Sequence, residues 1–139
     1  MRKLSVFIVV VLFTCFITGC GTSKKSEWEE RGKLKELERT IVNAIKLLES
    51  EKYYEYVKFV HKPDIIAQNT EEDIKEYSKS IGEHAAELIE VYEEILKTEP
   101  RYMDYNAGRK PEGIDMTVIF MLEGGFIAFD KVGDKWYQQ

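Results

Sequence analysis

Apolar residues recur at spacings of three and four until Pro100, and the pattern then changes period. Leu34, Leu37, Ile41, Ala44, Ile45 and Leu48 form one buried stripe on a first helix. Gly32 weakens the turns before it, so ordered helix is expected from Lys33, although Ser26 and Glu29 fit a capping box that would start it earlier. Ser50 is expected to cap a second, shorter helix over 51–61, aromatic on its apolar side and stopped by Pro63. Residues 64–68 read as a linker whose Ile65 and Ile66 tuck into the core. Asn69 and Thr70 then precede Glu71, Glu72 and Asp73, a cap followed by acids matched to the positive end of a helix. The third and longest helix is expected over 71–98, with Ile74, Tyr77, Ile81, Ala85, Leu88, Ile89, Tyr92, Ile95 and Leu96 as its stripe. Pro100 ends it, because the residue before a proline avoids helical dihedrals.

Strands are expected thereafter. Residues 101–105 are the first, followed by a Gly/Pro loop over 106–113. Residues 116–122 are β-branched and apolar on both faces, which predicts a central strand, or a face that pairs two copies of the chain sheet to sheet. Glu123-Gly124-Gly125 turns the chain into a strand over 126–129. Val132-Gly133-Asp134-Lys135 is a second turn, and Trp136-Tyr137 closes a last short strand. Helices first and a meander after them predict an α+β class, with three N-terminal helices packed on a C-terminal curved antiparallel sheet of about four strands.

The first twenty residues follow a different logic. Arg2 and Lys3 give a positive start, Leu4 to Ile17 is an almost unbroken apolar run, and small residues lead into Cys20. This is the layout of a secretory signal peptide. A bilayer span takes about 20 apolar residues, and this run is shorter, with Ser23, Lys24, Lys25 and Ser26 following at once. Ile17-Thr18-Gly19-Cys20 closely resembles the bacterial lipoprotein signal, an aliphatic residue and small residues before a cysteine. The resemblance implies cleavage between Gly19 and Cys20, a diacylglyceryl group on the Cys20 thiol, and a protein held to the membrane on its extracytoplasmic side, in the cell envelope. The expected organisation is a signal peptide over 1–19, a lipidated tether over 20–30 and one domain over 31–139.

Charge and cysteine content narrow the options. The net charge of −5 becomes −7 once residues 1–19 leave, because Arg2 and Lys3 go and no acid does. An acidic domain argues against nucleic acid and against lying flat on an anionic bilayer, so the membrane is met through the lipid on Cys20. Cys15 leaves with the signal and Cys20 is consumed, so the domain relies on its core rather than on disulfides. The remaining 120 residues suffice for one such core.

Asn43-Ala44-Ile45-Lys46-Leu47-Leu48-Glu49-Ser50 with Tyr53-Tyr54, and Phe129-Asp130-Lys131-Val132-Gly133-Asp134-Lys135-Trp136-Tyr137, resemble small bacterial members of the nuclear transport factor 2-like group, within the cystatin-like α+β folds. That resemblance implies a cone of helices on a curved sheet, a fold that hosts isomerases, dehydratases, transport factors and scaffolds. In its enzymes an Asp or His faces a Tyr in the cone's mouth, for which Asp104, Asp115, Tyr77 and Tyr92 have suitable chemistry here.

His84, between Glu83 and Glu87, is one metal-type pair, short of the three protein ligands that zinc usually takes. His61 ends the second helix, where a cation is favoured. No metal, no cofactor and no catalytic set is therefore expected; phosphate loops, nucleophile elbows and paired-His motifs are missing from the sequence. The aromatic content points to binding, since amphipathic rings concentrate at contact surfaces. Tyr53, Tyr54 and Tyr56 cannot all be buried on one helix face, so at least one is expected to be exposed. The candidate pocket or rim is Tyr54, Tyr77, His84, Tyr92 and Trp136. The expected function is a non-catalytic module that binds a small ligand or an envelope protein, with an isomerase or dehydratase as the alternative.

Overall fold

Val118, Phe129 and Gln138 stand side by side across three strands, and this register organises the C-terminal third of the molecule. The computed structural model describes the backbone of residues 24–103 and 110–139, and the side chains of these from Leu34 onward. Four strands, β1 (Arg101–Tyr102), β2 (Met116–Leu122), β3 (Gly125–Val132) and β4 (Lys135–Gln138), form an antiparallel meander in the order β1-β2-β3-β4. The apolar run over 116–122 does become an interior strand, paired on both sides. Gly133 takes φ 60° in the β3–β4 turn, and its N–H donates to Asp115 Oδ2 at 2.8 Å.

Among the described residues five helices precede the sheet: α1 (Lys24–Glu49), α2 (Tyr53–Val60), α3 (Pro63–Ala67), α4 (Glu71–Glu83) and α5 (Ala85–Lys97). The class is α+β, with five helices where three were expected. Two differences account for the count. Pro63 starts α3 rather than only stopping α2, since a proline at the first helical position loses no hydrogen bond. Ile65 on α3 stays exposed, and only Ile66 packs on the core. The long helix over 71–98 breaks at His84, which leaves helical geometry at φ −120°, ψ 15°. The break lets α4 follow α2 while α5 follows α1 and β2.

The ends of these helices are built by local chemistry. Thr70 and Asp73 form a capping box: Asp73 N–H donates to Thr70 Oγ1 at 3.2 Å, and Thr70 N–H donates to Asp73 Oδ2 at 2.9 Å. These bonds to Thr70 hold the Asp73 carboxyl below its ordinary pKa. At the other end of α1, Lys52 N–H reaches Leu47 O at 2.9 Å and Glu51 N–H reaches Leu48 O at 3.1 Å. That is a Schellman turn, and Glu51 occupies its left-handed position at φ 58°, where glycine is usual. A side chain there costs about 1 kcal/mol. α1 itself begins at Lys24, upstream of Lys33, so Gly32 is carried within it. Lys, Glu and Arg neighbours are strong helix formers and offset one glycine.

Leu37, Ile41, Ala44 and Leu48 of α1 are buried as the stripe required, with Tyr56, Val57 and Val60 of α2, Ile74 and Ile81 of α4, and Tyr92 and Ile95 of α5. Val118, Phe120, Phe129 and Trp136 meet them from one face of the sheet. Each such side chain contributes about 1.5–3 kcal/mol by leaving water. On the opposite face Thr117, Asp130 and Tyr137 align, and all three are buried too. Asp130 accepts hydrogen bonds on Oδ1 from Thr117 Oγ1 and Gln139 Nε2, each at 2.6 Å, and its Oδ2 pairs with Lys62 between α2 and α3. This ion pair joins the helical half of the chain to the sheet, and a more exposed one, Lys131 Nζ to Glu36 Oε2 at 3.5 Å, does so from β3 to α1. None of the described helices is long and apolar enough to cross a membrane.

Candidate functional site

The five rim residues do not share one site. Tyr92 is 1% exposed and Trp136 2% exposed, so both are core. Tyr77 and His84 are half-buried, Tyr77 on α4 and His84 at the helix break itself. His84 Nδ1 is 3.3 Å from Glu87 Oε2, a local pair on the surface. Among the described residues no three His, Cys, Asp or Glu side chains converge to hold a metal ion. Asp115 holds the Gly133 turn rather than facing a tyrosine. Gly19, Cys20 and Asp104 lie outside the described residues.

A hydrogen-bonded tyrosine network links α2, α5 and β4. Tyr92 donates to Gln138 Oε1 at 2.6 Å, which leaves Tyr56 to donate to the Tyr92 oxygen, also at 2.6 Å. The two rings meet edge to face at 6.3 Å. Tyr77 stacks at 5.8 Å on His61, which closes α2. Burial pushes the Tyr92 phenol well above its ordinary pKa, helped by the neighbouring Tyr56, and burial raises Tyr56 and Tyr77 as well. Burial lowers His61. At neutral pH the cluster is therefore uncharged, and its phenols serve as hydrogen-bond donors rather than bases. Among the described residues the buried Nε1–H of Trp136 meets no acceptor.

The tyrosines have a consequence for stability. Below pH about 10 they are neutral in both folded and unfolded chains and the folded state is unaffected. Above it the unfolded chain ionises first, so stability should fall as pH rises toward the raised folded values. Urea midpoints measured from pH 8 to 11 should drop steeply past 10, and Tyr92→Phe should flatten that drop. A pH-independent midpoint would show the phenols ionising freely in the folded protein.

A recess of about 270 Å³ lies between α2 and α4, lined by Glu51, Tyr53, Tyr54, Glu55, Lys75, Ser78 and Lys79. Its floor depends on one close approach. A Cβ on Gly82 would lie 2.8 Å from Tyr53 Cε2, so glycine allows α4 to rest on that ring. Ser78 Oγ turns inward to Ile74 O at 2.6 Å. Tyr53 and Tyr54 are half-buried while Tyr56 is buried, which resolves how one short helix distributes three tyrosines. Lys58 Nζ lies 5.3 Å from the Tyr54 ring centroid.

No known family, characterised protein or solved structure matches this chain. The site must therefore be argued from its own residues. A second recess runs along α1, lined by Lys35, Glu38, Arg39, Val42, Asn43 and Lys46. Its described lining comes from a single helix. The recess between α2 and α4 has walls from two elements, with acids on one and amines on the other. Of its residues, the sequence pointed to Tyr54 as a rim candidate and to Tyr53 as one of three tyrosines that one helix face cannot bury. Glu51, Glu55, Lys75 and Lys79 had no signal beyond being charged, since 20 or more residues of chain separate the two walls.

Proposed function

We propose that the chain is a lipid-anchored envelope protein whose domain binds a ligand or protein partner without transforming it. The observation that carries the anchor is the apolar run closed by Gly19-Cys20, with helix already begun at Lys24, four positions after the cysteine. The binding role rests on the interior, where Tyr56, Tyr92 and Gln138 are joined by a chain of hydrogen bonds, and on a recess rimmed by half-buried tyrosines. An isomerase or dehydratase of the nuclear transport factor 2-like kind would need an acid or base presented to a phenol across an open pocket. His61 and Tyr77 meet ring to ring instead, both neutral at pH 7.

Native mass spectrometry of the protein extracted from its membrane in mild detergent tests both parts. The expected species starts at Cys20, carries acyl mass there, and retains a small molecule or a partner chain. A polypeptide that still starts at Met1 without acyl mass would remove the anchor. A processed, lipidated chain that never carries extra mass, with or without envelope extract, would remove the binding role.

A further inference from the structure

We infer that the recess between α2 and α4 binds a small zwitterion of the free amino acid or short peptide class, its ammonium toward Glu51 and Glu55 and its carboxylate toward Lys75 and Lys79. This rests on the binding role proposed above and names the chemistry of its ligand.

Three observations meet at this place. The first is charge arrangement. Glu51 and Glu55 are four residues apart on one wall, Lys75 and Lys79 four apart on the other, and all four line one recess. Among the described residues Glu51, Glu55 and Lys79 make no ion pair, while Lys75 makes only an exposed contact with Glu71 at 3.4 Å. The opposed charges are thus held apart rather than neutralising each other. A ligand with both signs fits that polarity, and a simple anion or cation meets one repulsive wall.

The second is backbone conformation. Glu51 alone among the described non-glycine residues has a positive φ, in a turn position that glycine fills with less strain. The strain places a carboxylate at the lip of the recess, and strained residues gather at binding sites. The third is the aromatic floor. Tyr53, fixed against Gly82, and Tyr54, with a ring face that already attracts the Lys58 ammonium, give a ligand apolar contact beside the charges.

The test uses the mature, detergent-solubilised protein, ¹⁵N-labelled, titrated with L-alanyl-L-alanine and followed by amide shifts. Shifts should concentrate at residues 51–55 and 75–79. N-acetyl and C-amide forms of the dipeptide, each lacking one charge, should bind about fivefold more weakly, the ceiling for one exposed ion pair. Glu51→Gly should weaken the dipeptide to a similar degree while raising the urea midpoint, a split that no loss of folding produces. Reversing both walls together, Glu51→Lys and Glu55→Lys with Lys75→Glu and Lys79→Glu, should restore binding lost when either wall alone is reversed.

Equal shifts from the doubly blocked dipeptide, or no shift at the highest soluble concentration, would overturn the proposal. Shifts mapping elsewhere would overturn this recess and leave the binding role standing. A chain that shifts with no dipeptide and retains no mass in the native spectrum would bring down both.

Discussion

Lys62→Met is expected to lower folding stability by about 3–5 kcal/mol, because it strands the Asp130 carboxylate. Asp130 has no exposed surface, and its side chain sees Thr117 Oγ1, Gln139 Nε2 and Lys62 Nζ. Two neutral donors remain after the substitution, but the charge keeps its desolvation and loses its counter-ion. Lys62 is itself mostly buried at its side chain, so water restores little. Replacing both partners with apolar residues should recover most of the loss, since removing a pair avoids the orphaned charge. Urea denaturation of the two single variants and the double one makes the measurement. A Lys62→Met midpoint within about 0.5 kcal/mol of the parent would mean that the pair is screened like a surface bridge.

Cys20→Ser is expected to abolish acylation and block cleavage, leaving a precursor held to the membrane only by its uncleaved apolar run. A hydroxyl cannot form the thioether, so no diacylglyceryl group is added and the precursor should keep residues 1–19. The strength of the lost lipid anchor follows from chain length: each buried methylene contributes about 0.8 kcal/mol, one acyl chain is marginal, and two or more hold firmly. Labelled fatty acid should mark the parent and leave the variant blank, with the variant's mass still including the apolar run. Unchanged acylation and cleavage would sink the lipoprotein reading.

Much of the fold is readable in the residues, and for stated reasons. The stripe Leu37, Ile41, Ala44, Leu48 is buried because a three-four spacing has one solution on a helix. Strand β2 runs over the residues that are apolar on both faces, and the Thr70 cap begins α4 where acids follow a hydroxyl. The break at His84 is silent in the sequence, because Ile81, Ala85 and Leu88 keep helical spacing across it. Only the need of α4 and α5 to meet different partners reveals it. The Lys62–Asp130 pair is equally hidden: 68 positions separate its members, and neither residue carries a local pattern that announces the other. Tyr92 and Trp136, read as rim candidates because amphipathic rings favour surfaces, are instead the filling of the core. Their polar tips gave no indication of which of these two fates applied. The acids and amines of the recess were unreadable for the opposite reason, since charged residues on helices ordinarily only face solvent.

The early start of α1 sets a height. With 26 residues at about 1.5 Å each, the helix is a post of about 39 Å. The three residues between Cys20 and Lys24 add at most about 10 Å of leash. Glu51 follows the far end of that post, so under the proposed anchoring at Cys20 the recess would sit at the tip most distant from the lipid, beyond the headgroup layer whenever α1 stands upright. A molecule captured there would be taken from the space above the bilayer rather than from its surface.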